Sequence, residues 1–423
     1  MEVILESEFR NNIEILRYIQ MKMISILTCE EMILGTKIKQ FFSFFKEKSL
    51  SKDFSLYEGF LRIFVHLSIY FNFNEREEKI PKRQGIFFTI LKELIEKFSL
   101  KESFHPSTLF FIFKANKHLT LFLLEEKIID ISFIEVEISC NKIRDIFLFF
   151  LPEIKKANPT LYSRQMKRFN LKEDFINSLY FQSNYEGNQN SNCFEPKYAN
   201  RSVFNIRERI HSQEKIAQLI RSDNINDFIE HISKMDGFDL NSTIEPSFLE
   251  NNSDINNPKN KRINLLEYSM AFGSINIFRY LWMNKVEYSK ESLNYSIIGG
   301  NFEIIHILEE ESKFIFDEEC YNKSWKYFRL EINEYLSSLL GIPQPTFPDV
   351  LSTFHCTTNI ELIFDFFVKN HSSINNLSID FHTIQLISPM SFYFIYLSFF
   401  KLKKIDIQAT NDALFYIFDY LSN

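Results

Sequence analysis

The apolar positions near the middle of the chain follow a helical period, stop, and then resume. Leu266, Ser269 and Met270 lie at i, i+3 and i+4, which places them on one face of a short helix. Ile277 and Leu281 continue with the same spacing after a break of several residues. The pattern therefore predicts two short helices joined by a tight turn.

A glycine marks the turn, and the whole pattern returns further along the chain. Gly273 follows the first helix, and glycine enters the left-handed conformation of a helix end without a Cβ penalty. The repeated residues, each 27 positions apart, are Tyr268, Ser269, Gly273, Ile277 and Leu281, recurring as Tyr295, Ser296, Gly300, Ile304 and Leu308. Helices this short are not stable alone, so each unit must bury its apolar face on a neighbour.

These residues resemble a known repeat. Asn264-Leu-Leu-Glu-Tyr-Ser, followed by Gly273, Ile277 and Leu281, resembles a degenerate ankyrin repeat, whose usual form begins Thr-Pro-Leu-His-x-Ala. Residues 205–340 are similar to a large family of divergent ankyrin proteins of unicellular eukaryotes with a helical N-terminal region of unknown function. The chain lacks the Thr-Pro and the His, and its repeats span 27 to 30 residues instead of about 33.

The resemblance and the periodicity together predict an all-α fold, an α-solenoid of degenerate ankyrin-type helix–turn–helix repeats behind a helical N-terminal region. Residues 1–183 are predicted to be the N-terminal domain. Residues 184–201 combine many Asn with Gly and Pro, which indicates a linker. Residues 202–423 form the predicted array, with insertions near 245–261 and 341–348.

Within the N-terminal region the apolar stripes predict a run of helices. They are expected over Phe9–Leu27, Met32–Lys46, Phe54–Tyr70 and Gly85–Phe98. The charged segment Glu75–Arg83 contains a proline and is predicted to be a loop.

Weaker copies of the repeat are expected on both sides of the centre. Residues 105–130 share the apolar spacing of the second helix and are interpreted as a decayed repeat or a coincidence. Phe328 stands where the other units have glycine, and residues 358–366 repeat the second-helix pattern. Residues 399–423 resemble a last repeat without a covering helix, which is either a cap or an apolar end that docks a partner.

Composition narrows the class of protein and its compartment. The net charge is −7 and the pI about 5.8, which disfavours nucleic-acid binding. The five cysteines are scattered singly, and no signal peptide is visible at the start, so a cytoplasmic or nuclear protein that is not secreted is expected. The most apolar run, Pro389–Phe400, is too short to span a bilayer. The 48 phenylalanines are attributed to A/T-rich coding, and they imply a core packed by rings.

Motifs for catalysis, metals and cofactors are missing from the sequence. It contains no G-x-G-x-x-G, no P-loop, no H-E-x-x-H and no G-x-S-x-G, so a non-enzyme without cofactor or metal is expected. A rival hypothesis places an enzyme or nucleotide site in residues 1–183. A pocket that gathers His66, His105 or His118 with acids would favour this rival.

The resemblance implies a non-catalytic scaffold that binds a protein partner through the concave face of its array. The predicted contacts on the concave inner helices are Phe272, Lys326 and Tyr327. The predicted contacts on the loops between repeats are Lys261, Ile263, Tyr288, Lys290 and Glu318. Two alternatives stay open: Phe272 and Tyr327 pack on a neighbouring repeat, or the chain is a structural, self-associating protein. The identity of the partner and the oligomeric state do not follow from the sequence.

Overall fold

The computed structural model describes residues 2–74, 80–141, 143–176, 205–256, 262–342 and 346–369. In these residues the regular structure is helical, apart from an isolated antiparallel bridge between Thr243 and Asn264. The prediction of an all-α protein is confirmed for this part of the chain. The predicted linker 184–201 and the predicted last repeat 399–423 lie outside the described residues.

Seven helices make up the described chain as far as residue 125. They are α1 Glu2–Leu27, α2 Glu31–Glu47, α3 Phe54–Tyr70, α4 Ile80–Lys97, α5 Leu100–Ser103, α6 Pro106–Phe113 and α7 Lys117–Glu125. The side chain of Asp53 caps α3 by accepting a hydrogen bond from the amide of Leu56. The predicted loop Glu75–Arg83 is wrong at its end, because α4 already begins at Ile80. Pro81 fits the first helical turn, where an N–H would have no helical partner.

Four more helices build a separate small core together with a distant segment. They are α8 Ile131–Asn141, α9 Arg144–Phe149, α10 Leu151–Ala157 and α11 Pro159–Arg168. Ile134, Phe147 and Leu161 are buried in this core, and Phe248 and Leu249 from the later insertion join them. The insertion is therefore anchored in the N-terminal region.

Five helix pairs follow, each with a short first helix, a tight turn and a second helix. Unit one holds α12 Lys215–Arg221 and α13 Ile225–Ser233, unit two α14 Leu265–Ala271 and α15 Ile275–Met283, unit three α16 Leu293–Gly299 and α17 Phe302–Glu311, unit four α18 Glu318–Lys326 and α19 Leu330–Leu340, and unit five α20 Phe347–Thr357 and α21 Ile360–Phe364. First helices of successive units pack side by side, as do the second helices of units one to three. The helix–turn–helix prediction for units two and three is confirmed.

Short irregular helices complete the described chain. Three 3₁₀ turns span Leu50–Lys52, Asn205–Glu208 and Lys290–Ser292, and a π turn spans Asp365–Lys369. The predicted interruption at 341–348 ends early, because α20 begins at Phe347 behind a capping box.

Each unit turns through one residue in the left-handed region. These residues and their φ angles are Asp223 (52°), Gly273 (66°), Gly300 (70°), Phe328 (56°) and Thr358 (53°). Glycine suits this conformation because it has no Cβ. Phe328 adopts it without that advantage, and its ring packs against His66 and Phe71. At Phe328, tertiary packing of the ring thus accompanies a left-handed turn that has no glycine.

The residue after the turn ties its unit to the preceding one. Ser274 Oγ donates to the carbonyl of Ile220 at 2.6 Å, and Asn301 Nδ2 donates to the carbonyl of Gly273 at 3.0 Å. Asn359 Nδ2 makes the same kind of bond in unit five, to the end of α18. Carbonyls near the end of a helix lack helical partners, so these bonds satisfy them and set the register between units.

Helices α6 and α7 have the local geometry of the later units. Asn116 Oδ1 accepts from two amides at the start of α7, as Asn301 Oδ1 does at the start of α17. Lys127 after α7 has a φ of 57°, and Lys285 after α15 has a φ of 56°. Residues 106–125 therefore form a helix pair with the same cap and exit turn as a later unit, but no left-handed residue stands between α6 and α7. The decayed repeat at 105–130 stays a prediction.

Unit five shares an apolar core with the N-terminal helices. Phe41 and Phe64 belong to the same buried cluster as Phe354 and Ile363. The long helix α1 lies directly on α21. Packing therefore joins the start of the described chain to its end.

Candidate functional site

The aromatic residues expected on the concave face are buried. Phe272 is 7% exposed and Tyr327 is 1% exposed. Phe73 of the N-terminal region covers both, with ring centroids 5.2 Å from Phe272 and 5.5 Å from Tyr327. Beside it, Asn74 Nδ2 donates to the carbonyl of Gly299 at 2.8 Å. The expectation of exposed anchors at Phe272 and Tyr327 is corrected, because the chain's own N-terminal region occupies this surface.

Lys326, the third inner-helix position, is also enclosed. Its Nζ lies 3.0 Å from Asp254 Oδ2 and 4.4 Å from the ring centre of Tyr70. Lys323 Nζ lies 2.9 Å from the other carboxylate oxygen of Asp254. Burial alone would raise the pKa of Asp254, but the two ammonium groups lower it to about 2. Lys326 thus makes an internal ion pair in place of an open contact.

Three of the predicted loop positions lie at the surface. Tyr288 is half-buried, and Lys290 and Glu318 are exposed. Lys290 Nζ lies 2.8 Å from Asp317 Oδ2, so this ion pair connects the loops before α16 and α18. These three residues remain accessible to a partner.

The other two loop positions are not at an accessible surface in the described structure. Ile263 is buried in the core of units one to four, and its carbonyl accepts from the amide of Ile244 at 2.9 Å. The expectation of a contact at Ile263 is therefore corrected. Lys261 lies outside the described residues.

The segment from Phe248 to Ile255 contacts the end of α18 and connects two cores. Phe248 and Leu249 lie in the core of α8–α11, and Ile255 lies in the core of units one to four. The hydroxyl of Tyr327 lies 2.9 Å from Asn252 Oδ1 and 2.8 Å from a carboxylate oxygen of Asp254. The segment predicted as an insertion therefore fastens the array to the N-terminal region.

His211 and Glu250 form a buried polar pair beside this segment. His211 Nδ1 lies 2.6 Å from Glu250 Oε2, and His211 Nε2 lies 3.1 Å from the carbonyl oxygen of Phe73. Both ring nitrogens of His211 therefore have a hydrogen-bond partner. Burial by itself raises the pKa of Glu250, but His211 and the amide of Asn252 outweigh it, and the pKa lies below its ordinary value.

Two basic residues at the start of α7 are buried next to this pair. His118 Nε2 donates to the carbonyl of Arg209 at 3.1 Å, and Asn251 Nδ2 lies 3.0 Å from His118 Nδ1. Burial lowers the pKa of His118 to about 3, so the ring is neutral at ordinary pH. Lys117 Nζ donates to the backbone carbonyl of Glu250 at 2.8 Å, and burial lowers the pKa of Lys117 to about 8.

A cavity of about 30 Å³ lies among these groups. Its polar lining includes Asn116, His118, His211, Glu250 and Asn251. One water needs roughly 10–15 Å³, so the cavity holds about two waters. Ligand pockets measure roughly 300 Å³ or more. The cavity gathers a histidine with an acid, as the enzyme hypothesis requires, at a size that suits bound water.

The other two histidines of the enzyme hypothesis have local structural roles. His66 Nε2 donates to the carbonyl of Lys326 at 3.0 Å, and burial lowers the pKa of His66 to about 3. The His105 side chain accepts from the amide of Ser107 at the start of α6. Neither histidine lines the cavity.

An aromatic row lies at the end of α15 and on the loops that follow α15 and α17. The ring centroids of Trp282 and Tyr288 are 5.0 Å apart, and those of Tyr288 and Phe314 are 5.6 Å apart. Trp282 Nε1 donates to Glu311 Oε2 at 2.7 Å, and the hydroxyl of Tyr288 accepts from the amide of Lys313 at 3.1 Å. These bonds orient the rings of Trp282 and Tyr288, and Phe314 packs against Tyr288.

Two aliphatic side chains next to this row are almost fully exposed. Met283 follows Trp282 and is 79% exposed, and Ile315 follows Phe314 and is 80% exposed. We call Trp282, Met283, Tyr288, Phe314 and Ile315 the loop edge. It combines three packed rings with two solvent-exposed apolar side chains that adjoin them in sequence.

Comparison of the chain with protein-family models, with curated proteins and with solved structures found no match. In the described ranges, no three His, Cys, Asp or Glu side chains are placed to hold a metal ion. No described helix is both long enough and apolar enough to cross a membrane.

Sequence reasoning missed the residues that organise the junction between the two regions. Phe73, His211 and Asp254 stand in segments without a motif, and only the fold brings them to the inner helices. One signal was present in the sequence, because the Asn-rich insertion contains the apolar residues Phe248, Leu249 and Ile255. Such side chains are more often buried than the polar residues around them.

Proposed function

We propose that this protein is a non-catalytic interaction scaffold that binds a protein partner through the loop edge of a degenerate ankyrin-type array. The observation that carries the proposal is the exposure of Met283 and Ile315 beside an ordered aromatic row. Aromatic residues and methionine are enriched at protein interfaces, and exposed apolar groups rimmed by polar residues mark such surfaces. Rings that are already ordered lose little entropy on binding.

The ankyrin-type assignment is supported by the regularity of the units. The turn residues Gly273, Gly300, Phe328 and Thr358 follow one another at intervals of 27, 28 and 30 residues. Each of these turns precedes a second helix, and several of those helices begin with a side chain that bonds to the preceding unit. Nearest-neighbour stacking of this kind is the defining physical property of repeat arrays.

The proposal places the contact on the loops and not on the concave helices. Phe272, Lys326 and Tyr327 are occupied by contacts within the chain, whereas Tyr288, Lys290 and Glu318 are accessible. Tyr288 belongs to the loop edge, Lys290 lies two residues after Tyr288, and Glu318 lies three residues after Ile315. Loops held by a rigid scaffold are also where binding residues are usually found.

Site-specific photocrosslinking tests this proposal. A photoreactive phenylalanine derivative replaces Ile315 in the full chain, and crosslinks are formed in cells that express it. The same derivative at Met32, which is 91% exposed on α2, is the control for crosslinking by exposure alone. The change Met283→Ser is then added to the Ile315 variant, because this exposed side chain contributes little to folding.

The expected result is a partner protein that crosslinks at position 315 and does not crosslink at position 32. The crosslinked product should disappear when Met283→Ser is added. Equal crosslinking at both positions, or a product indifferent to Met283→Ser, would overturn the proposal. A crosslink between two copies of the chain would replace it with the self-associating alternative.

A further inference from the structure

The solvent-facing side of α11 is cationic. Its exposed side chains after Pro159 are Thr160, Ser163, Arg164, Lys167 and Arg168. Residues three and four positions apart lie next to each other on a helix, so these five form one continuous face. The opposite face, with Leu161 and Met166, is buried in the core of α8–α11. The exposed face therefore carries three positive charges, two hydroxyl groups and no acid.

The three cations of this side are not neutralised within the chain. We call Arg164, Lys167 and Arg168 the basic face. None of them has an ion pair in the part of the chain that the structure describes. Arg164 Nη2 donates to Ser139 Oγ at 3.4 Å, and the guanidinium group of Arg168 lies 5.9 Å from the ring centre of Phe169. Neither contact is with an acid, so the positive charge is available to a partner.

The carboxylates of Glu135 and Glu173 lie against α11, and groups outside the basic face hold both. Glu135 accepts from Asn158 Nδ2 at 3.1 Å, where the helix begins. Glu173 accepts from the hydroxyl of Tyr162 at 2.6 Å and lies 3.4 Å from Lys155 Nζ. These two acids therefore leave the basic face open to an anion from outside.

The spacing of the basic face suits the carboxylates of a short segment. Arg164 and Arg168 lie about one turn apart, and each guanidinium group can hold a carboxylate through two parallel hydrogen bonds. Lys167 adds a third cation on the same face. A helix of ten residues is about 15 Å long, so the basic face matches a few residues of a partner.

We infer that the basic face of α11 binds an acidic segment of a protein partner, in which aspartate or glutamate side chains recur. The whole chain carries −7 and the basic face +3, so the rest of the chain carries −10. Nucleic acids and anionic bilayers extend well beyond one helix and would be repelled by this remaining charge. A short segment contacts only the basic face, since charges farther away than about 8 Å are largely screened at physiological salt.

This inference goes beyond the proposed function, because it concerns another surface. Helix α11 packs in the core of α8–α11, whereas the rings of the loop edge pack against the core of units one to four. A crosslink at position 315 therefore does not bear on the basic face, and binding at the basic face does not bear on the loop edge.

Binding of short probes by the full chain tests this inference. Fluorescence anisotropy compares a peptide with several glutamates, the same peptide with glutamines in their place, and a single-stranded RNA with the net charge of the glutamate peptide. Cosedimentation with vesicles that contain phosphatidylserine tests binding to a bilayer.

Two matched variants are measured with each probe. The first removes the charge of the basic face, in Arg164→Gln/Lys167→Gln/Arg168→Gln. The control removes the same charge from three exposed lysines of α4 and α5, in Lys92→Gln/Lys97→Gln/Lys101→Gln. Both triple variants change exposed side chains, and their circular dichroism melts are compared with that of the parent.

The glutamate peptide is expected to bind the parent and the control equally, and to bind the basic-face variant about tenfold more weakly. Its binding should also weaken at higher salt. Lys167→Glu, measured in parallel, should weaken the peptide as well, which keeps the test valid if the triple variant unfolds.

Three results with the peptides would overturn the inference: no binding of the glutamate peptide by the parent, equal binding of the glutamine peptide, or no loss in the basic-face variant. Tighter binding of the RNA or the vesicles that the basic-face variant abolishes would also overturn it, because the face would then belong to an extended polyanion.

Discussion

A Cβ atom on Gly299 would lie 2.0 Å from the carbonyl oxygen of Met270. Real Cβ atoms essentially never approach an atom this closely, so α16 and α14 meet at a distance that requires glycine. Met270 belongs to unit two and Gly299 to unit three. The stacking of the two central units is therefore set at this contact.

Gly299→Ala should lower the free energy of unfolding by about 3 kcal/mol, because the opposing atom is backbone and cannot rotate away. Urea unfolding followed by circular dichroism measures this. Gly85→Ala is the control, since a Cβ there meets nothing within 4 Å and alanine favours helix α4 by up to about 1 kcal/mol. Similar urea midpoints for Gly299→Ala and Gly85→Ala would contradict the close contact between Gly299 and the carbonyl of Met270.

The exposed turn residue Lys285 offers a stabilising change. Its φ of 56° costs a residue with a Cβ about 1 kcal/mol, and glycine does not carry this cost. Lys285→Gly should therefore raise the free energy of unfolding by about 0.5–1 kcal/mol. The control Lys234→Gly, at a φ of −83°, should lower it. Denaturant midpoints that fall for both variants would show that the left-handed turn is not strained.

Stability is expected to fall steeply in mild acid. Burial lowers the pKa of both His66 and His118 from 6.5 to about 3, so the unfolded chain binds protons below pH 6.5 while the folded chain does not. Their contribution to stability is complete above pH 6.5 and is lost as the pH falls toward 3. The loss is about 1.4 kcal/mol per pH unit for each histidine.

Replacing one histidine isolates this effect. His66→Gln keeps a donor for the carbonyl of Lys326 but does not titrate, so unfolding free energies between pH 7.5 and 4.5 should vary less steeply than in the parent. Equal slopes for the parent and His66→Gln would refute buried titration at this site.

Asp254→Asn should strongly lower the stability of the protein, because Asp254 is part of a buried ion-pair network. It leaves the enclosed ammonium groups of Lys323 and Lys326 without their carboxylate, and breaking such a pair costs about 3 kcal/mol. Asp317→Asn removes the exposed partner of Lys290 and should cost less than about 1 kcal/mol. Thermal melts compare the two, and a smaller loss for Asp254→Asn would mean that the segment 248–255 does not fasten the array.

Local pattern was enough for the helices and the central units. Apolar spacing predicted α3 at Phe54–Tyr70, and Gly273 and Gly300 marked the turns, because helix faces and left-handed turns depend on residues a few positions apart. The same reasoning could not show which faces meet. It placed Phe272 and Tyr327 on an open surface, although their neighbour Phe73 lies 199 residues before Phe272 and 254 residues before Tyr327 in the sequence.

Contacts between distant segments were decided by the tertiary structure alone. Gln20 Nε2 donates to Asn359 Oδ1 at 2.9 Å across 339 residues, and His211 meets Phe73 across 138. No periodicity relates such residues, since each contact depends on the path of the whole chain between them. Exposure of Met283 and Ile315 has the same origin: both are ordinary apolar residues in the sequence, and only the packing of units two and three leaves them in solvent.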